Sequence, residues 1–314
     1  MKTRALATLM AAAALLTAAP AFAQDQGQGS AIVTVTPKKK GEMAPNITQQ
    51  DIQAIKVDGK SVKVTNFQSL RGPQNQVELV ILIDEAARSS LGEQISDIQQ
   101  FVNGLPPNVK TAIAYMQNGR SVFAGPFSTD HAKVLSALHL PPGIPGVDAS
   151  PYFCLSDLAR NWPSQDRGVR REVVAITDGI DYYYRRYDPD DPYVQAAMSD
   201  TVRAGIIVYS LYWKNIGRAD NTFYGNDTGQ NLMDEVTQAT GGRNFWQGIG
   251  NPVSFQPYLD ELNRCLNNQY EIGFAAPLKE KPQVENFSLK LTAPGSEVDA
   301  PQQVYVVPAG RAEN

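Results

Sequence analysis

Val77-Glu78-Leu79-Val80-Ile81-Leu82-Ile83-Asp84 decides the fold. Leu79 to Ile83 is an unbroken apolar run that ends on a carboxylate. A strand apolar on both sides reads as the centre of a parallel sheet covered by helices on both faces. The carboxyl end of such a strand is where an open α/β sheet places its ligands. A charge at that edge adds nothing to a core, so Asp84 is a candidate functional residue. A second run, Val173-Val174-Ala175-Ile176-Thr177, ends the same way on Asp178-Gly179.

Outward from these two runs, strands alternate with helical patterns. Gly92 to Asn103 places Ile95, Ile98, Phe101 and Val102 on one helical face, and Pro106-Pro107 ends it. Thr111 to Met116 predicts a strand, turned by Asn118-Gly119 into Ser121 to Ala124 as an edge hairpin. Helices are predicted from Thr129-Asp130, over Phe153 to Trp162, Tyr193 to Ala204, Leu232 to Thr240 and Gln256 to Asn267. Ile206 to Leu211 and Tyr270 to Phe274 are predicted strands, the latter the last of the core. This order predicts an α/β fold: a doubly wound, mostly parallel, Rossmann-like sheet with helices on both faces. Residues 73–276 form that domain. Residues 24–72 and 277–314 are small β-rich flanks that pair with each other. In the first, Asp58-Gly59 marks a hairpin. The Gln/Gly/Ser stretch 24–30 is predicted to be disordered.

The chain has 314 residues, 42% hydrophobic and 19% charged, as a globular protein does. Basic Met1-Lys2-Thr3-Arg4, an Ala/Leu-rich run to Ala19 and a small-x-small site at Ala21-Phe22-Ala23 read as a secretory signal peptide over residues 1–23. The expected location is periplasmic or secreted. No cysteine follows the cleavage site to carry a lipid anchor, and no later run suits a bilayer. Loss of Lys2 and Arg4 takes the formal charge from -4 to -6. So acidic a surface argues against nucleic acid and against membrane insertion or anionic membranes. The two cysteines, Cys154 and Cys265, read as buried thiols, although export permits a bridge.

Leu79-Val80-Ile81-Leu82-Ile83-Asp84, Val174-Ala175-Ile176-Thr177-Asp178-Gly179, Gly205-Ile206-Ile207-Val208-Tyr209-Ser210 and Thr240-Gly241-Gly242 follow one another in order. In this the stretch from Val77 to Phe274 resembles von Willebrand factor type A domains, in particular the exported bacterial branch called VWFA-related. The resemblance implies a metal-ion-dependent adhesion site with an Asp-x-Ser-x-Ser loop, a Thr from a later loop and a further Asp. Asp84 and Asp178 match the two acids. The serine positions fall on Ala86, which offers no oxygen, and Arg88, a donor without an acceptor. Ser150 is the best substitute for the Thr. The metal site therefore reads as degenerate. The family's strand order also makes the strands ending at Asp84 and Asp178 neighbours, so an Arg88 ion pair is expected to take the place of the cation.

Asp181-Tyr182-Tyr183-Tyr184-Arg185-Arg186-Tyr187 is the second candidate, because Tyr and Arg dominate protein contacts. Enzyme signals are poor. The two histidines, His131 and His139, lie eight apart, and no H-E-x-x-H, Gly-x-Ser-x-Gly or phosphate loop exists. The expectation is a non-catalytic module for adhesion, assembly or scaffolding that binds a protein partner without a cofactor. It uses Asp84, Arg88, Ser150, Asp178, Asp181, Tyr182, Tyr183, Tyr184 and Tyr187. Two other readings stay open. One is a Mg²⁺- or Ca²⁺-dependent binder using Asp84, Ser150 and Asp178, with Glu85 as an extra oxygen. The other is a metal-dependent hydrolase using the same carboxylates.

Overall fold

A computed structural model describes residues 26–309, except 145, 167, 185–187, 189, 215–222 and 278–280. The signal peptide expected over residues 1–23 and Tyr187 lie outside the described residues.

The N-terminal flank holds β1 (Gln26–Pro37), β2 (Ile52–Val57), β3 (Lys60–Ser61) and β4 (Lys63–Ser69). Then come β5 (Val77–Asp84), a 3-10 stretch (Glu85–Gln94), α1 (Ile95–Asn103), β6 (Val109–Gln117), β7 (Arg120–Phe123) and α2 (His131–Leu135). α3 (Pro151–Arg160), β8 (Arg170–Thr177), α4 (Pro192–Arg203), β9 (Ile206–Tyr212), α5 (Phe223–Thr240) and α6 (Gln256–Leu266) follow. The chain closes with β10 (Gln269–Pro277), β11 (Gln283–Leu291), β12 (Ser296–Asp299) and β13 (Gln303–Pro308).

Five strands form the central sheet in the order β7-β6-β5-β8-β9. β6, β5, β8 and β9 are parallel, and β7 returns antiparallel through Asn118-Gly119. Both turn residues have positive φ, 47° and 74°, as the tight hairpin requires. β5 and β8 are buried at every position because each face meets helices. Leu79, Ile81 and Ile83 pack with α1 and α6 on one side. Val80 and Leu82 pack with α3, α4 and α5 on the other. The period of two along the strand thus feeds two separate cores. Glu78 breaks the apolar run without cost because Trp162 Nε1 donates to its Oε2 at 2.8 Å. Cys154 lies in one core and Cys265 in the other, both free and buried.

The flanks are not small. They build an eight-stranded antiparallel sheet, β3-β2-β11-β13-β1-β10-β4, with β12 beside β1. It encloses a third core around Val33, Ile272, Phe274 and Val306. Two expectations are corrected here. Tyr270 to Phe274 belongs to β10, which pairs with β1 and β4 and not with the parallel sheet. Residues 26–30 are ordered as the start of β1, since β10 supplies the ladder that a Gln/Gly stretch lacks alone.

Buried polar side chains join the two sheets. Arg170 donates to the Leu266 carbonyl at 3.0 Å, contacts Gln269 and faces Glu172 at 3.4 Å. Gln269 Nε2 in turn reaches Glu172 and the Tyr209 hydroxyl. A second arginine, Arg243, pairs with Glu261, Glu297 and Asp299.

Candidate functional site

The ladder between β5 and β8 ends at Ile83 and Ile176, so the two chains emerge side by side at the carboxyl edge. Asp84 caps the 3-10 stretch: its Oδ1 accepts from the Ala86 N–H at 2.8 Å. Its Oδ2 accepts from the Thr177 hydroxyl at 2.8 Å, a bond between the two strand ends. One residue on, Asp178 Oδ1 accepts from the Ile180 N–H at 3.0 Å and its Oδ2 from the Tyr182 hydroxyl at 2.8 Å. Asp181 Oδ1 accepts from the Tyr183 and Tyr184 N–H groups at 2.8 and 3.1 Å. Asp191 caps α4 through the Tyr193 N–H at 2.8 Å. Each aspartate thus binds a backbone N–H two residues on, which is the local habit of Asp in turns. The result is a row of buried carboxylates beneath the edge.

Arg88 is not among them. Its φ of 57° is a rare conformation for a residue with a side chain. The side chain lies on the loop at Gly143, where an added Cβ would come within 2.8 Å of Arg88 Cγ. Among the described residues no ion pair joins Arg88 to Asp84 or Asp178. The expected arginine bridge is therefore corrected: the hydroxyls of Thr177 and Tyr182 take up the inner carboxylate oxygens, and the Arg88 backbone turns its side chain elsewhere.

Ser150 sits at the cap position of α3 but makes no capping bond. Its buried Oγ lies beside the Asp181 carboxylate, and among the described residues Oε2 of Glu85 has no hydrogen-bond partner. Ser150 lines a cavity of about 10 Å³ with Asp84, Cys154, Ile180 and Tyr182, room for one water at most. The Cys154 thiol is pushed well up by burial and then by the charge of Asp84. The other Glu85 oxygen accepts from Gln117 Nε2 at 2.6 Å. His139 stacks on Tyr115 at 4.0 Å, its backbone N–H bonded to the Tyr115 hydroxyl.

The donor set is a poor fit to the cation site that the resemblance implies. A hard cation wants several oxygens pointing at one place. Here Ala86 and Arg88 supply none, and both carboxylates of the matching pair already accept internal donors. Among the described residues no three His, Cys, Asp or Glu side chains gather closely enough to hold a metal.

Tyr183 and Tyr184 are exposed, with Tyr182 turned inward on Asp178. Sequence reasoning missed Tyr193. Its ring packs edge-to-face on Tyr183 at 5.7 Å and on Phe153 at 4.8 Å. The Asp191-Pro192 pair before it was the available signal, because a capped helix start fixes where the next side chain points.

By sequence the chain matches no protein-family profile and no curated protein. Solved structures do resemble it. One is a von Willebrand factor type A protein from Catenulispora acidiphila, 10% identical, covering 92% of this chain and 75% of its own, with a TM-score of 0.41. Another is an aerotolerance-related membrane protein from Bacteroides fragilis, 18% identical, covering 61% and 98%, with a TM-score of 0.42. A third is the SpRpn10 VWA domain, 13% identical, covering 60% and 95%, with a TM-score of 0.41. As the sequence resemblance implies, the strands carrying Asp84 and Asp178 are neighbours.

Burial raises the Asp181 carboxyl, against the pull of the Tyr184 and Tyr183 N–H groups and the Ser150 hydroxyl; the Asp191 charge raises it further. A carboxylate raised by folding favours the fold below its unfolded pKa, about 3.9. That contribution fades as the pH rises through the folded value. Asn keeps an acceptor for the Tyr183 N–H. Asp181→Asn is therefore expected to raise the urea midpoint at pH 7 and leave it unchanged at pH 3. An equal shift at both values would reject the argument.

Proposed function

We propose that the chain is an exported, non-catalytic protein-binding module that docks its partner on the carboxyl edge of the parallel sheet without a divalent cation. The observation that carries this reading is where four of the five most exposed apolar side chains among the described residues lie; the fifth, Met43, stands on the N-terminal flank. Ile144, Val147, Ile249 and Val253 are 76, 86, 86 and 99% exposed. The first two stand on the loop against Arg88, the last two on the loop whose Asn251 Oδ1 accepts from the Lys214 N–H beyond β9. Gln94 Nε2 ties that loop to the 3-10 stretch through the Val253 carbonyl. Tyr183, Tyr184 and Tyr193 stand on and just after the loop that leaves the carboxyl end of β8. Apolar side chains gathered at one edge mark a contact surface, whereas single ones scattered over a protein mean little. Among the described residues no helix is long and apolar enough to cross a membrane.

A cross-linking pull-down from cell envelopes tests this reading. The wild type is expected to capture the same partner in EDTA and in Mg²⁺ or Ca²⁺. Val253→Asp and Tyr183→Ser are each expected to reduce capture by about tenfold or more, as loss of an interface anchor does. Capture that needs an added cation would favour a metal-dependent binder. Capture indifferent to both substitutions would place the interface elsewhere.

A further inference from the structure

We infer that the partner's anchor at this edge is a basic side chain, an arginine or lysine seated on the rings of Tyr183 and Tyr193. The inference rests on the docking reading above and names the chemistry of the partner.

The first argument is charge. An adhesion site with a metal presents a cation and takes a carboxylate from its partner. Here buried carboxylates lie just beneath the edge. Glu85, Asp181 and Asp191 are buried and make no ion pair among the described residues. Among the described residues Glu85 Oε2 is left without a hydrogen bond. An incoming carboxylate would meet like charge, which opposes docking. A cation would meet the opposite.

The second argument is the aromatic platform. Tyr183, Tyr193 and Phe153 pack as three mutually contacting rings, with centroids 4.8 to 5.7 Å apart. Tyr183 remains 50% and Tyr193 39% exposed. A guanidinium or ammonium within about 6 Å of a ring centroid is attracted to the π face. The platform is held in place by the acids beneath it. Asp181 bonds the Tyr183 N–H and Asp191 the Tyr193 N–H, so each carboxylate fixes the backbone of one ring. Their field reaches the rings. The Tyr193 hydroxyl pKa is raised first by Tyr183 beside it and by burial, then by the charges of Asp191 and Asp181. Rings that are pre-positioned over negative charge suit a cation and give an aliphatic anchor no comparable gain.

Panning a library of random 12-residue peptides on the full chain tests this. The selected peptides are then titrated, by fluorescence polarisation, against wild type, Tyr183→Ser, Tyr183→Phe, Asp181→Asn and Val253→Asp. We expect one position fixed as Arg or Lys, with a loss of about tenfold when it is changed to norleucine and more when changed to Glu. Tyr183→Phe should keep the affinity, whereas Tyr183→Ser and Asp181→Asn should each weaken it several-fold. Peptides that fix Asp or Glu, or that bind through aliphatic residues alone, overturn the inference. If their binding still falls with Val253→Asp, the docking surface stands without it. If no peptide is selected, or if none responds to any edge variant, both readings fall.

Discussion

Gly229→Ala is expected to destabilise the protein by about 3 kcal/mol, the upper range for forcing atoms into a packed interior. Gly229 lies on α5 where the helix crosses the turn after β8. A Cβ there would stand 2.2 Å from the Asp178 carbonyl oxygen and 2.8 Å from the Gly179 carbonyl carbon. Approached from the other side, a Cβ on Gly179 would stand 2.3 Å from the Gly229 carbonyl oxygen. Two backbones are in direct contact, and neither can rotate away as a side chain would. The higher helix propensity of alanine, about 1 kcal/mol, offsets only part of the clash. To accommodate a methyl group the helix must lift from the turn that carries Asp178, Ile180 and Tyr182. The substitution should therefore weaken the fold and disturb the docking edge together. Urea denaturation measures the first, with Gly104→Ala as a control because a Cβ there comes no closer than 3.4 Å to any neighbour. A wild-type midpoint for Gly229→Ala would show that this close approach does not hold the edge.

Glu172→Ala is expected to cost about 3–5 kcal/mol, the usual penalty for leaving one member of a buried ion pair alone. Glu172 is fully buried, and Arg170 beside it scarcely less so. Alanine would remove the partner of the arginine and an acceptor of Gln269, while the Leu266 carbonyl and Gln269 would be left to solvate a guanidinium by themselves. The network also joins β8 of the parallel sheet to β10 of the antiparallel one, so its loss should loosen the junction of the two. Burial raises the carboxyl of Glu172, opposed by Arg170 and by the Gln269 and Tyr209 hydrogen bonds. Glu172→Gln keeps the shape and avoids the buried negative charge, so it should cost much less. Replacing both members, Arg170→Met with Glu172→Leu, should recover part of the loss. Equilibrium unfolding of the wild type and the three variants measures these differences. A cost below about 1 kcal/mol for Glu172→Ala would mean that the pair contributes little.

Much of the fold can be read along the chain. Leu79 to Ile83 and Val173 to Ile176 announce central strands because burial on both faces demands continuous apolar sequence. Asp58-Gly59 and Asn118-Gly119 announce hairpins because few residues adopt the positive φ that those turns use, and here all four do. Helix positions follow from apolar spacing. Even the two acids at the sheet edge are legible, since a carboxylate directly after a buried strand has no place in a core.

Partners far apart in sequence were not legible. Strand β10 carries the pattern of a core strand, and it is one, but of another core. Which sheet it joins depends on β1, more than 230 residues earlier, presenting the complementary ladder. Arg88 occupies a ligand position in the sequence, yet its backbone angle sends the side chain to Gly143. Asp84 and Thr177 read as the ends of two separate strands, and only the fold brings the Thr177 hydroxyl onto Asp84. Local sequence dictates local geometry, because turns, caps and apolar periods depend on neighbours a few residues away. The pairing of β10 with β1 and the bond from Thr177 to Asp84 depend on packing between distant segments. No short stretch of this chain encodes that packing.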